Sequence, residues 1–175
     1  MVERQFRKIV KFFESKEQQC SLRNRDKKKF RQFVRVHSAC YKDYCYFLEN
    51  NLIKTPMIGE GSEKVVFELE DSPDKVVKLY KTADAFDREN EHYEILLEFG
   101  LENLVPQMTF YSQYSIVERA APVQLKRVPR ILFKIVSEQL DFGIIDNRIL
   151  MLDLGGIYQD AIRQNLDELR KINRS

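Results

Sequence analysis

Gly59-Glu60-Gly61-Ser62-Glu63-Lys64-Val65-Val66 opens a segment whose pattern differs from everything before it. Alternation from Met57 to Leu69, with two early glycines, predicts a β-hairpin. Glycines at a hairpin tip let backbone N–H groups approach an anion without an intervening side chain. A plain tight turn wants the same residues. The next forty residues are more informative. Asp71-Ser72-Pro73-Asp74 is turn chemistry, and Val76-Val77-Lys78-Leu79-Tyr80 reads as a strand carrying one lysine. Phe86 to Leu97 is a Glu-rich helix with Tyr93, Leu96 and Leu97 apolar. Pro106 ends the next loop, and Thr109–Tyr111 and Ser115–Val117 form two strands around a short turn.

Farther on, Pro129 suits a first helical turn, with Ile131, Leu132, Ile135 and Val136 as the buried stripe of a short helix. Ile144 to Leu152 reads as a tight hairpin, apolar on both arms, that runs directly into Asp153-Leu154-Gly155. Ile157, Ala161, Ile162, Leu166, Leu169 and Ile172 mark a last helix. Before the glycine segment, Phe6, Ile9, Val10 and Phe13 share one helical face. A second helix carries Phe30, Phe33, Val34, His37, Cys40, Tyr41, Tyr44, Cys45 and Leu48 and stops near Asn50-Asn51.

Glycine hairpin, strand lysine, Glu-bearing helix, strand pair, then an apolar hairpin ending in Asp-Leu-Gly is the order of parts in protein kinases. Residues 57–156 resemble the protein-kinase-like superfamily, which includes small-molecule kinases. The resemblance implies an α+β fold: a kinase-like N-lobe of antiparallel sheet plus helix, and a much reduced C-lobe. It implies ATP and Mg2+ as cofactors. By carry-over, Gly59 and Gly61 are the first loop glycines, and Val66 covers the adenine. Lys64 replaces the third glycine. Lys78 is the phosphate lysine, with Glu91 as its helix partner and Glu89 and Glu94 as rivals. Ile116-Val117-Glu118-Arg119 is the hinge whose backbone, around Glu118, meets adenine. Asp153 is the metal ligand.

The catalytic loop departs from the family. Ile135-Val136-Ser137-Glu138-Gln139-Leu140-Asp141-Phe142-Gly143 occupies its place. Ser137 falls at the histidine, Gln139 at the aspartate, and the asparagine is deleted or replaced by Gly143. A glutamine cannot accept a substrate proton as a carboxylate does. Glu138 and Asp141 are the candidate substitutes, and no recognisable catalytic-loop aspartate remains. One helix is expected after Gly156, so the resemblance implies a truncated substrate lobe. Residues 1–52 form a helical hairpin extension, expected to supply missing core. Residues 53–175 form the truncated domain, divided into 57–125 and 126–175.

The first 50 residues hold 13 basic and 6 acidic residues, a net +7, against 16 and 21, a net −5, in the remainder. The basic part either packs on its own acidic domain or meets an anionic partner. Three cysteines without paired spacing, Cys20, Cys40 and Cys45, argue against a disulfide framework, lack the spacing of a zinc site and read as buried free thiols. With 43% hydrophobic and 32% charged residues, no membrane span and a charged N-terminus, a cytoplasmic globular protein is expected.

These residues support three functions. The first is a kinase-like protein of impaired catalysis, binding ATP or acting only through a protein partner. The second is an active minimal phosphotransferase using Glu138 or Asp141. The third binds nucleic acid or an acidic partner through Arg23, Arg25, Lys27, Lys28, Lys29, Arg31 and Arg35.

Overall fold

Lys75–Tyr80 is the strand about which the rest is arranged, because both its faces are covered and only Lys75 is exposed. The structure, a computed structural model, describes residues 42–43, 46–47, 49–61, 63–111, 114–136 and 141–172. The N-terminal helices lie outside them apart from the end of the second, as do the basic cluster, the three cysteines and residues 137–140. The described chain is α+β with antiparallel sheets. Among the described residues no helix is long and apolar enough to cross a membrane.

The larger sheet has five strands: β1 (Ile53–Glu60), β2 (Lys64–Leu69), β3 (Lys75–Tyr80), β4 (Met108–Phe110) and β5 (Tyr114–Glu118), in the order β1-β2-β3-β5-β4. The β1–β2 hairpin has the glycines where the sequence puts them, with an irregular register between Lys54 and Gly59. Val66 pairs with Lys78 and Lys64 with Tyr80, so these residues share one sheet face. Val77 and Leu79 point to the other face.

The face that bears Lys64, Val66 and Lys78 is the inner one, and α1 (Ala83–Glu98) covers it. Thr82 caps α1, its hydroxyl accepting from the Ala85 N–H at 3.2 Å. Gly100, at φ 67°, ends it. Leu101 N–H then reaches the Leu96 carbonyl and Gly100 N–H the Leu97 carbonyl, each at 2.9 Å. This reversal drives Leu96 and Leu101 into the same core.

The smaller sheet joins β6 (Ala121–Pro122), β7 (Phe142–Ile145) and β8 (Arg148–Met151). Asp146 and Asn147 both have positive φ, 47° and 65°, the two-residue turn that matches strand twist. Gly143 lets β6 approach: a Cβ there would lie 2.6 Å from Ala120 Cβ. Gly143 thus has a packing role in the strand. The expected helix after Pro129 is a 3₁₀ turn, Arg130–Lys134, though Ile131, Leu132, Ile135 and Val136 are buried as predicted. The last helix is two short ones, α2 (Gln159–Gln164) and α3 (Leu166–Leu169). Asn165 interrupts them and donates its side-chain amide to the Ala161 carbonyl.

On the outer face Phe47 packs with Ile53, Phe67, Val77 and Leu79. Its ring meets Tyr114 edge-on at 4.9 Å. Asn51, at φ 54°, turns the chain so that Leu52 N–H reaches the Phe47 carbonyl at 2.8 Å. The segment before β1 therefore supplies core to the sheet. Phe47→Ala should cost about 3–4 kcal/mol in urea unfolding. A loss below about 1 kcal/mol would show that Phe47 is not part of the core.

Candidate functional site

Lys78 lies in the middle of the doubly covered strand, 5% exposed. A lysine there needs a partner, since an unpaired buried charge costs several kcal/mol. The partner comes from α1. Ala85, Glu89, Tyr93 and Leu96 are its buried residues, at the spacing of one helical face. Lys78 Nζ donates to Glu89 Oε1 at 2.6 Å and to the Leu152 carbonyl at 2.6 Å. Glu91, expected as the partner, is exposed, and so is Glu94. Two residues from Glu89 is a rotation of about 200° around an α-helix, which carries Glu91 toward solvent.

Lys64 completes the cluster. It is 8% exposed and donates to Glu89 Oε2. Its Nζ also lies 3.1 Å from Asp153 Oδ1. One buried carboxylate thus bridges two lysines, and one of these lysines reaches Asp153. Burial pulls the Lys64 ammonium down, but the Glu89 and Asp153 carboxylates outweigh it and hold the group above its ordinary value. For Lys78 burial wins, reinforced by the charge of Lys64, and the group falls below its ordinary value. Burial raises the Asp153 carboxyl, but Lys64 and the Gly155 N–H overcome it and hold Asp153 below the usual carboxylate range.

Beside this cluster the glycine hairpin is folded onto α1 and onto residues 153–155. Arg88 pairs with Glu63 at the hairpin tip. Lys81 Nζ donates to the Gly61 carbonyl at 2.7 Å. A Cβ on Gly155 would lie 3.2 Å from Glu63 Oε2, a tight contact with the end of a flexible side chain. His92 Nδ1 sits 2.5 Å from the Leu154 carbonyl oxygen, which only accepts, so this nitrogen carries the proton. Burial and Glu89 push the Tyr80 hydroxyl far above its ordinary value, and it shares a 2.9 Å hydrogen bond with Ser115 Oγ.

The remaining predicted residues lie around this cluster. Gly59 pairs with Val66, and Val66 is half-buried on the face that bears Lys78. Gly61 N–H donates to the Lys64 carbonyl at 2.9 Å, so it is committed within the turn and is not free for phosphate. Glu118 N–H donates to the Gln107 carbonyl and Arg119 N–H to the Asp74 carbonyl. The Glu118 side chain lines a cavity of about 270 Å³ with Tyr93, Val105, Pro106 and Arg148. The N–H donors at 118 and 119 are therefore used within the chain. Asp141 is exposed, and its carbonyl accepts from Leu152 N–H at 2.8 Å. Ser137, Glu138 and Gln139 lie outside the described residues.

Magnesium needs several oxygen ligands in near-octahedral array. Both Glu89 oxygens are taken by lysines, and Asp153 Oδ1 accepts from Lys64 and Gly155. Both Glu89 oxygens and Asp153 Oδ1 are thus shared with ammonium groups, which compete with a magnesium ion for them. Among the described residues no group of three or more His, Cys, Asp or Glu is placed to hold a metal.

Compared with protein-family models and with curated proteins, the chain matches none. Its site is read from its own residues. Sequence reasoning missed Lys64, Arg88 and His92 as parts of it. The signal for Glu89 was present: it lies four residues before Tyr93, on the apolar stripe.

The depressed Asp153 carboxyl gives a pH signature. A carboxylate lowered by folding stabilises the fold above its unfolded value of about 3.9, and that contribution is lost as pH falls through its folded value. Lys64→Met removes the main depressing charge. Its melting temperature should fall below that of the wild type near neutrality, with the gap narrowing below about pH 4. A gap independent of pH from 7 to 3 would contradict the ion pair.

Proposed function

We propose that residues 53–175 form a protein-kinase-like domain of impaired catalysis, which binds ATP and acts through a protein partner. In this reading β1–β5 with α1 are the N-lobe, and residues 126–175 are a reduced C-lobe. The observation that carries it is the position of Lys78. A lysine on the third strand is held by a helix glutamate and touches the carbonyl of Leu152, immediately before Asp153. A phosphate-binding lysine needs this kind of fixing, because catalysis and binding of phosphoryl groups rest on positioned positive charge.

The impaired catalysis is inferred from the sequence position of the base, where glutamine replaces aspartate. Asp141, the described candidate substitute, is exposed to solvent. The glycine hairpin supports a binding role over turnover as well. Its tip is tied to α1 through Arg88 and, through Lys64, to Asp153.

A ligand that binds only the folded form raises the melting temperature, by about 2.7 kcal/mol of stability at one hundred times its Kd. ATP should therefore raise the melting temperature of the wild type by several degrees. Lys78→Met, folded by circular dichroism, should show no rise. No shift of the wild type at millimolar ATP contradicts nucleotide binding. ATP hydrolysis that disappears in Asp153→Ala contradicts impaired catalysis.

A further inference from the structure

We propose that Lys64 takes the place of a divalent cation at Asp153, so that the site selects a metal-free nucleoside triphosphate over its magnesium complex. This rests on the nucleotide reading above and names the ligand form that the site takes.

The geometry of the four charged groups carries it. A magnesium ion beside Asp153 would have to share that carboxylate with an ammonium 3.1 Å away. Like charges at such range repel, and strongly so where water is scarce. Glu89 cannot help, because each of its oxygens accepts from a different lysine. Asp153 is further engaged by the Gly155 N–H at 3.0 Å. Both Glu89 oxygens and Asp153 Oδ1 are thus already engaged from within the chain.

The same lysines offer what the metal would have supplied. An ammonium has three donors. Lys78 uses two, on Glu89 and Leu152, and Lys64 uses two, on Glu89 and Asp153. Each retains one. A single carboxylate holds both nitrogens, so the remaining donors start from neighbouring points. Two adjacent ammonium groups can take two phosphate oxygens, as a bridging cation does. A magnesium-chelated triphosphate presents fewer free oxygen lone pairs and brings its own positive charge toward Lys64.

Lys64 is also held in place for this role. It comes directly after the turn residue Glu63, which pairs with Arg88, while Lys81 fixes the Gly61 carbonyl. A donor fixed in advance loses little freedom on binding.

The test is an ATP titration by calorimetry in EDTA and in excess magnesium. The proteins are the wild type, Lys64→Gln and Lys64→Arg. The wild type should bind ATP at least as tightly in EDTA as in magnesium. Lys64→Gln frees Asp153 and should bind about tenfold more weakly in EDTA, the worth of one charge-assisted hydrogen bond, with magnesium restoring affinity. Lys64→Arg keeps the charge and should remain indifferent to metal. The wild type alone decides the matter if Lys64→Gln fails to fold. Wild-type binding that is tenfold tighter in magnesium overturns this inference and leaves the nucleotide reading intact. No binding in either condition overturns both.

Discussion

A carboxylate buried on one helix, with a lysine on each of its oxygens, is the constraint on which this structure turns. Lys78 sits in a strand covered on both faces, and its charge has no exit to water. Glu89 is 2% exposed and equally enclosed. Neither is tolerable alone, and together they fix the rotation of α1 against the sheet. That rotation in turn decides which residues of α1 meet the 153–155 segment: Arg88, Glu89 and His92 face the site, while Glu91 faces solvent.

Lys64 changes what the cluster means. A single lysine–glutamate pair beside an aspartate would leave that aspartate open to a cation. The second lysine closes the circuit, and the hairpin that carries it is drawn down onto the helix. The glycine hairpin is then less a flexible cover than a clasp. Gly61 donates its N–H within its own turn, and Glu63 reaches across to Arg88. The aspartate keeps its charge because Lys64 and a backbone N–H stabilise it.

Much of this was legible in the sequence. Alternation and turn residues marked the β1–β2 and β7–β8 hairpins, because period-two patterning and an Asp-Asn turn are local properties. Lys78 stood out as one charge in an apolar run, and Asp153 as an acid between four apolar residues and two glycines. Glu89 against Glu91 was harder. Both lie in a Glu-rich helix, and the resemblance pointed to Glu91. The stripe through Ala85, Tyr93 and Leu96 decides it, since a buried partner must share the buried face. Lys64 was illegible, since its burial depends on β2 pairing with β3 and on the distant Asp153. The break at Asn165 and the 3₁₀ turn after Pro129 depend on side-chain competition and packing, which periodicity does not report.

The most direct measurement of the central claim compares urea unfolding of Glu89→Gln with that of Glu91→Gln. Removing the buried charge strands Lys78 and leaves Lys64 only Asp153, so Glu89→Gln should lose about 3 kcal/mol or more. Glu91→Gln, on the exposed face, should stay within about 0.5 kcal/mol of the wild type. Equal effects, or a larger loss at Glu91, would contradict the account.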